Sequence, residues 1–301
     1  MLTISREFVV DRLAADLVPA ARCGSGDIVR FETRDCYDDA VTSEERPLGD
    51  RTDTMENPAT GPLYVEGAQA GDILKVEILS IETRDYGVMR SNLTTGPFAG
   101  RMPARKARIF DISDGKTVRF DQNLTLPLDT MIGVIGTAPA GGASIDTETP
   151  HDSGGNMDCR DITAGSTLYL PVNTPGALLC MGDLHAAMGD GEIFICGLET
   201  AGTVTVRVTV LKNTALPTPC LVKEGRFMTI QSAPTLDEAA DKASNRMLDY
   251  LMQVTGLDII RAGMLCSLAV HLSICQVVDP WKTVRAEIET SVLEKYCWNC
   301  M

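Results

Sequence analysis

Basic residues and long apolar runs are scarce in this sequence, and each shortage excludes a class of protein. Only 27 Lys and Arg stand against 41 Asp and Glu among 301 residues, so the formal net charge is −14. Nucleic acids bind to clusters of basic side chains, so we expect no nucleic-acid partner. The longest apolar region, around Ile259 to Val278, is interrupted by Arg261, His271 and Gln276. We therefore expect no membrane-spanning segment and no membrane partner.

The sequence also lacks the signs of a signal peptide and of a disulfide framework. Arg6, Asp11 and Arg12 lie where a signal peptide would need an apolar segment, so a cytoplasmic location is the default expectation. Most of the ten cysteines stand alone in apolar runs, where a reduced thiol behaves as a small hydrophobic group. Only Cys297 and Cys300 form a Cys-x-x-Cys pair. One such pair is half of a zinc site at best, and we expect an inert C-terminal tail.

Four segments share one pattern, in which a glycine-containing turn precedes alternating apolar and polar residues. In the second of them, Leu74, Val76 and Ile78 alternate with Lys75 and Glu77. A period of two residues is typical of a strand with one buried face. Short strands of this kind predict a mainly β protein with an antiparallel β-sandwich or barrel-like body. The four segments cover residues 24–33, 67–83, 164–172 and 202–213.

Helical patterns are scarce until the C-terminal third of the chain. Thr235 and Glu238 fit a capping box before a segment with helical apolar spacing, and Gly256 predicts the end of that helix. Residues 258–276 predict a second helix, which is apolar almost all round and is therefore expected to be buried. Residues 282–288 alternate again and predict a strand.

The order of these patterns indicates how the chain is organised. No low-complexity segment and no clear linker interrupts the sequence. We therefore expect a single unit over residues 1–301. It is predicted to be β-rich over 1–230 and to end in a mixed α+β portion with two helices over 231–301.

Acidic residues and a histidine cluster around two glycine-rich stretches in the middle of the chain. Asp183 and His185 are two residues apart, so on a strand both side chains would project from one face. A carboxylate oxygen and an imidazole nitrogen are suitable ligands for a divalent metal such as zinc. In the upstream stretch, Asp158 is a candidate third ligand. Asn156 could bind a substrate carbonyl or orient a ligand, and Gly155 allows a close approach of the backbone.

A turn signal follows this pair of ligands, at Asp190 and Gly191. With a two-residue hairpin loop, Glu192 would share a face with His185. With a three-residue loop, Glu199 would do so instead. The residues leave both registers open, and in either register one of the two glutamates is expected to join the site.

Three other polar residues are interpreted as structural. His151 is expected on the surface of a loop, His271 in the core within the second helix, and Asp35 in a solvated turn. Acidic, glycine-rich turns also occur without any metal, so the pattern of residues alone leaves a metal site open.

The motifs GGNMD (154–158) and GDLHAAMGDGE (182–192), followed by Glu199, resemble the acetamidase/formamidase family. Flanking segments at 31–36, 57–79 and 274–288 are also similar to that family, so the resemblance covers most of the chain. It implies a mostly β hydrolase of small aliphatic amides, formamide or acetamide. A related γ-lactamase has the same pattern, which adds cyclic amides. The resemblance also implies a divalent metal, zinc in the first place, and a homodimer or larger oligomer.

The resemblance implies roles for individual residues. Asp158, Asp183 and His185 match the metal-binding positions. Glu192 and Glu199 match the acidic positions, with the choice of catalytic base between them left open. Such a set suits amide hydrolysis, because a metal activates water and the carbonyl while a glutamate carries a proton to the leaving nitrogen.

One alternative from another class remains open at this point. The protein could be a non-catalytic module that binds a small ligand, with calcium held by the clustered side-chain oxygens. His185 is the feature that distinguishes the two, because calcium takes oxygen ligands and an imidazole suits zinc better.

Overall fold

Strands dominate the computed structural model, which describes residues 1–49, 53–296 and 298. They form two nine-stranded sheets and two two-stranded sheets. The strands are β1 (Leu2–Ile4), β2 (Val9–Val10), β3 (Arg12–Ala14), β4 (Ala21–Cys23), β5 (Ile28–Thr33), β6 (Ala59–Val65), β7 (Ile73–Thr83), β8 (Tyr86–Arg90), β9 (Ala107–Asp111), β10 (Thr117–Arg119), β11 (Thr125–Pro127), β12 (Met131–Gly136), β13 (Ser144–Asp146), β14 (Gly154–Asn156), β15 (Thr167–Pro171), β16 (Leu179–His185), β17 (Glu199–Thr200), β18 (Gly202–Leu211), β19 (Cys220–Lys223), β20 (Arg226–Ala233), β21 (His271–Gln276) and β22 (Lys282–Glu289).

The first large sheet, sheet A, contains all four strands that the alternating pattern predicts. Its order is β1-β5-β18-β7-β15-β19-β20-β22-β21, so the predicted strands β5, β18, β7 and β15 are direct neighbours. Each pair among these four is antiparallel. The prediction is confirmed, and in β5, β7 and β18 the period of two residues reports one buried face. Strand β15 is buried on both faces, with Leu168, Tyr169 and Leu170 all at 2% exposure or less.

The second large sheet, sheet B, carries the strands of the glycine-rich stretches. It runs β14-β12-β16-β17-β8-β9, and β6 pairs with β16, β2 and β4. The named strand pairs in both sheets are antiparallel apart from β1 with β5 and β4 with β6. Among the described strands neither sheet closes into a barrel, so the mainly antiparallel β fold is confirmed in its open, layered form.

The main hydrophobic core lies where the two large sheets meet. It contains Phe31, Val76 and Val206 from sheet A together with Ile132 and Met181 from sheet B. All five side chains are almost fully buried. Burial of this apolar area between two faces is what holds a sandwich together.

A second core cluster joins sheet A to the predicted first helix. Helix α1 (Leu236–Thr255) begins at Thr235 with the capping box and ends at Gly256, whose φ of 69° is left-handed, as a C-cap glycine allows. Its buried face, including Met247 and Tyr250, packs with residues of β20 and β22. The predicted first helix and the predicted strand after residue 281 are therefore confirmed.

The second predicted helix is wrong in its length and in its burial. Helix α2 (Ile259–Ala269) starts after Asp258, whose carboxylate caps it, but stops at Val270. The remaining residues form β21, the edge strand of sheet A, where pairing with β22 satisfies the backbone. Only Ala262 of α2 is buried, and Leu268 is 85% exposed. His271, expected in the core, is an exposed residue at the start of β21.

Short helical turns complete the regular structure. They are the helix α3 (Thr290–Leu293) and two 3-10 turns, at Ala140–Gly142 and Glu294–Tyr296. In the described part of the chain no single helix has the length and hydropathy to cross a membrane. Only α1 and α2 counted together, across a bend of 116°, reach that length and composition. The tail cysteines Cys297 and Cys300 lie outside the described residues.

Candidate active site

The predicted pair Asp183 and His185 lies at the C-terminal end of β16, in the middle of sheet B. On one side, Glu199 of β17 is the direct cross-strand partner of His185. On the other side β12 runs antiparallel, with its residues 131 and 132 opposite His185 and Leu184. Side chains of directly opposed residues on one face are close enough to interact. The sheet therefore brings Glu199 to the imidazole without any help from loops.

Gly133 on β12 makes room for the carboxylates of this site. A Cβ atom built on Gly133 would lie 2.5 Å from Asp158 Oδ1 and 2.5 Å from Asp183 Oδ2. Distances below 3.0 Å are not found for real Cβ atoms. A glycine at this position therefore leaves the space that both carboxylates occupy.

Glu192 reaches the site from the connection between β16 and β17. That connection is not a hairpin of two or three residues, so both predicted registers are wrong. It spans residues 186–198. The Gly191 backbone donates to the Cys275 carbonyl in β21 at 2.9 Å and accepts from the Val277 nitrogen just after β21 at 3.1 Å. Both glutamates, rather than one, therefore join the site.

An ion pair between Arg285 and Asp190 also holds this connection in place. Arg285 of β22 donates to both carboxylate oxygens of Asp190, at 2.8 and 2.9 Å. Arg285 is only 4% exposed and also forms an ion pair with Asp161 at 3.0 Å. Two parallel hydrogen bonds from a buried guanidinium set an orientation as well as a distance. Asp190, two residues before Glu192, is thus anchored to sheet A.

The upstream glycine-rich stretch forms β14 and the turn that follows it. Asp158 is 1% exposed, and its backbone nitrogen donates to the Gly133 carbonyl at 3.4 Å. Asn156 donates from Nδ2 to Asp279 at 3.1 Å, which leaves its Oδ1 buried without a donor. A Cβ atom on Gly155 would lie 2.7 Å from the Thr149 carbonyl oxygen and 3.0 Å from the ring of His151, so only glycine fits there without displacement. The structure brings Asn156 and Asp158 to the site and places Gly155 behind it.

The imidazole of His185 is the centre of the cluster. Its Nε2 lies 3.3 Å from Asp183 Oδ1 and 3.3 Å from Glu199 Oε1. Asp158 Oδ1 is 3.8 Å away and Glu192 Oε1 is 4.0 Å away. The other ring nitrogen, Nδ1, faces the Met188 sulfur at 3.3 Å. One nitrogen therefore faces four carboxyl groups while the ring is held from behind.

Three of these acidic residues have unusual backbone conformations. Asp158, Asp183 and Glu192 have φ angles of 42°, 55° and 48°. The left-handed region costs residues other than glycine about 1–3 kcal/mol each, and such strain is typical of functional sites. The strained backbone turns these carboxylates towards one point.

Burial and mutual repulsion perturb the pKa values of the cluster. Burial, and then the neighbouring Asp183, raise the pKa of Asp158 to about 6. Burial raises the pKa of Glu199 to about 7, and burial beside Asp158 raises that of Glu192 well above its usual range. Burial disfavours an ionised Asp183 as well, but the charge of His185 and the hydrogen bonds from His185, Glu199 and Asn57 together lower the pKa of that carboxyl.

Several oxygen atoms of the site have no hydrogen-bond donor. Both oxygens of Asp158 and the Oε2 atoms of Glu192 and Glu199 are buried and unpartnered. Buried carboxylates are costly unless a charge or a donor compensates them. Carboxylate oxygens and one imidazole nitrogen are the donor types that bind zinc, so the residues present fit a divalent cation. The groups Asp158–His185–Glu192 and Cys36–Asp183–Glu199 each place three donor atoms within 4.8 Å of one another.

A cavity of about 470 Å³ opens over the cluster. Asp183, Glu192, Glu199 and Asn156 form part of its wall. A set of side chains that fits a cation therefore lies at the base of a cavity large enough for a small organic molecule.

Residues from distant segments complete the site, and local sequence patterns did not reveal them. Cys36, Asn57 and Asp279 line the same cavity. Burial, and then repulsion by Asp158 and Glu192, raise the pKa of Asp279 well above its usual range. None of these three residues has another predicted site residue beside it in the sequence. Their only sequence signal was the similarity of segments 31–36, 57–79 and 274–288 to one family.

Two residues interpreted as exposed are in fact buried. His151 is 6% exposed and accepts from the Ser153 backbone at 3.1 Å, and burial lowers its pKa to about 4. Asp35 is fully buried and forms an ion pair with Arg84. Its Oδ1 also accepts from the backbone of Tyr37 at 3.0 Å and shapes the turn that carries Cys36. A carboxylate with such partners needs no solvent.

Similarity to known proteins agrees with this geometry. The model of the Acetamidase/Formamidase family matches residues 3–144 and 141–294. The crystal structure of an acetamidase from Bacillus halodurans is 47% identical, with a TM-score of 0.94 over 98% of this chain and 99% of that one. The structure of a predicted acetamidase/formamidase from Thermoanaerobacter tengcongensis is 39% identical, with a TM-score of 0.95 over 99% of each chain.

Similarity to curated sequences is lower and covers less of them. A formamidase from Methylophilus methylotrophus is 27% identical over 262 residues, which are 67% of this chain and 64% of that protein. The chain spans about half to two thirds of the length of the curated relatives it matches. The family model nevertheless covers nearly the whole sequence, and the chain belongs to the Acetamidase/Formamidase family.

Proposed function

We propose that the protein hydrolyses a small aliphatic amide, formamide or acetamide, to the carboxylate and ammonia. The observation that carries the proposal is the ring of four buried carboxyl groups around His185 Nε2, beneath a cavity of about 470 Å³. Membership of the family and the names of the relatives support the same reaction class.

Asp158, Asp183 and His185 are the proposed ligands of a divalent cation. Zinc suits this set better than calcium, because an imidazole nitrogen faces the carboxylates and calcium prefers oxygen alone. When bound, the cation would polarise the amide carbonyl and lower the pKa of water towards about 7.

Glu192 is the proposed proton carrier. It lines the cavity, is slightly more exposed than Glu199 at 7% against 1%, and has an unpartnered Oε2. A carboxylate so placed takes a proton from the attacking water and hands it to the leaving nitrogen. Its raised pKa suits the second half of that task, because a carboxylic acid releases a proton to nitrogen only after holding it.

Asn156 is the proposed contact for the substrate amide. Its Nδ2 is already engaged by Asp279, so the free Oδ1 is available to accept a hydrogen bond from the substrate NH₂ group. An ester has no such donor at this position. Amides should therefore be preferred over esters of the same size.

The test is ammonia release from formamide and acetamide, and ring opening of a γ-lactam, on protein of measured metal content. We expect turnover of a linear amide that a chelator abolishes and zinc restores. Glu192→Gln should lower kcat by about 10²–10⁴-fold with the metal content retained. Bound calcium without any amide turnover would instead indicate a non-catalytic binding module and overturn the proposal.

We also propose that the protein is a homodimer and that α2 with β21 forms its interface. This surface exposes Ile260, Met264 and Leu268 on the helix and Leu272 on the adjoining edge strand, at 52–85% exposure. Ile259, Ile274 and Trp281 of the same segment are also exposed, and exposed apolar surface of this kind is typical of a protein–protein interface. A second copy is the occupant that fits, because an edge strand can pair with its own symmetry mate.

Molar mass in solution tests this interface. Leu268→Glu should convert a dimer to a monomer in light scattering after size exclusion. Val18→Glu is the matched control, because Val18 is also 85% exposed but lies elsewhere. A wild-type monomer, or a Leu268→Glu dimer, would contradict the proposal. The cytoplasmic location stays a prediction, which fractionation of the producing cells would test.

A further inference from the structure

A second set of three donor atoms lies beside the proposed cation site. Cys36 Sγ and one carboxylate oxygen each from Asp183 and Glu199 lie within 4.8 Å of one another. Asp183 and Glu199 are also the two carboxylates nearest to His185 Nε2, at 3.3 Å each. The second set therefore shares Asp183 with the proposed cation site and does not include that site's other ligands, Asp158 and His185.

When all its carboxyl groups are ionised, the charge of the cluster exceeds what one cation can balance. Asp158, Asp183, Glu192, Glu199 and Asp279 provide five carboxyl groups in one buried region. In the described part of the chain, His185 is the one basic side chain that lies within 4.0 Å of the carboxylates of the first four of these residues. Uncompensated charges in a buried site are strongly unfavourable.

The nearest basic residues of the cavity wall are engaged elsewhere. Lys282 donates to the Asp279 backbone carbonyl, and Arg90 pairs with Glu56 at 3.7 Å and stacks on Tyr37. Neither supplies the missing positive charge to the carboxylates beneath. Two divalent cations would supply four positive charges, against two from one.

An unsatisfied oxygen points to a ligand at the second set. Glu199 is 1% exposed, and its Oε2 is buried without a hydrogen-bond partner. Its Oε1 already faces His185. The free oxygen belongs to a residue that lines the cavity together with Cys36. A cation between them would satisfy both.

The turn that carries Cys36 is built to hold it in place. Its carbonyl accepts from the Asn57 backbone at 2.9 Å. The buried Asp35 accepts from the backbone of Tyr37 and from that of Asp39, at 3.0 and 2.8 Å. Arg84 forms an ion pair with both Asp35 and Asp39. These contacts fix the backbone on both sides of Cys36 and so limit where its thiol can lie.

We propose that Cys36, Asp183 and Glu199 form a second binding position for a thiophilic divalent cation, with zinc as the fitting ion. The proposal rests on the proposed function in that Asp183 is shared with the first cation. On binding, the Cys36 thiol loses its proton to solvent and the sulfur forms a bond to the metal. Sulfur excludes calcium and magnesium from this position, because both take oxygen ligands.

The first experiment measures zinc per chain in protein whose Cys297 and Cys300 are replaced by serine, so that the tail pair does not contribute. We expect about two equivalents, and about one after a further Cys36→Ser substitution. Cys266→Ser is the control, since Cys266 is also half-buried but lies on α2, and it should keep both. One equivalent before and after Cys36→Ser would overturn the second position and leave the proposed function standing. No bound metal would overturn both.

The second experiment identifies the sulfur ligand directly. Cobalt bound through a thiolate gives an intense near-ultraviolet charge-transfer band, which oxygen and nitrogen ligands do not give. In the same serine-substituted protein loaded with cobalt, we expect the band, its loss in Cys36→Ser and its retention in Cys266→Ser. Should Cys36→Ser fail to fold, protection of Cys36 from iodoacetamide by zinc in the unsubstituted protein is the replacement measurement. Absence of the band, or equal alkylation with and without zinc, would refute the proposal.

Discussion

Gly133→Ala is the substitution that most directly tests the geometry of the site. It adds one methyl group to β12. Gly133 is not among the residues that line the cavity, and it has no side chain that could take part in the reaction. The new Cβ would lie 2.5 Å from Asp158 Oδ1 and from Asp183 Oδ2, where ordinary contact begins at 3.4 Å. Each oxygen must therefore withdraw by about 0.9 Å, the difference between these two distances.

The expected effects follow from that displacement. Metal–ligand distances tolerate only about 0.2 Å, so a shift of this size should weaken zinc binding by roughly 10–100-fold. A misplacement of about 1 Å also lowers turnover by about 10²-fold. Overpacking costs about 1–3 kcal/mol of stability, so the variant should still fold. Zinc titration, ammonia release and thermal unfolding measure the three effects.

Gly189→Ala is the matched control for this experiment. Gly189 lies in the connection that carries Glu192, and a Cβ atom there meets no atom within 4 Å. It should keep zinc affinity and turnover within about twofold, since surface changes of this kind have small effects. If Gly133→Ala behaved like Gly189→Ala, the two carboxylates would not depend on the space that Gly133 leaves, and the reasoning would be refuted.

Three further predictions concern protonation, the anchored connection and the first helix. Burial raises the pKa of Asp158 to about 6 and that of Glu199 to about 7, so protons on these groups stabilise the metal-free protein at low pH, and this stability is lost as pH rises through about 6–7. The rise in Tm on adding zinc should therefore be larger at pH 8 than at pH 5, and equal increments in calorimetry would contradict this. Asp190→Asn removes the charge that Arg285 holds and should lower kcat for amide hydrolysis, with zinc content unchanged, because only the connection carrying Glu192 is loosened; a lost zinc ion would show that the pair supports the metal site instead. Thr235→Ala should destabilise the fold by about 1 kcal/mol through loss of the capping box, with kcat unchanged, and an unaltered Tm would show that the cap is dispensable.

The parts of the fold that could be predicted are those with a local physical cause. Strands β5, β7 and β18 alternate because each has one buried face, and the capping box marks the start of α1. The second helix failed as a prediction because apolar composition is shared by a buried helix, an interface helix and an edge strand. Pairing of residues 271–276 with β22 decided between them, and that contact is not local.

The candidate site shows the same division. Asp183 and His185 were predictable as a pair because two residues on one strand share a face. The position of Glu199 relative to this pair depends on the length of the connection between β16 and β17. The turn signal at Asp190 predicted a loop of two or three residues, whereas the connection spans residues 186–198. Cys36 and Asp279 come from opposite ends of the chain, and neither has another predicted site residue beside it in the sequence. The tertiary fold brings them to one cavity.

The left-handed backbone of Asp158, Asp183 and Glu192 has a consequence for anyone who seeks a hardier variant of this protein. Glycine scanning for thermal tolerance would select these three positions early, since replacing them relieves conformational tension. Each such gain in thermal stability would remove a carboxylate from the candidate active site. Substitutions that raise thermal stability should therefore be made in solvent-exposed turns, where they do not remove groups needed for activity.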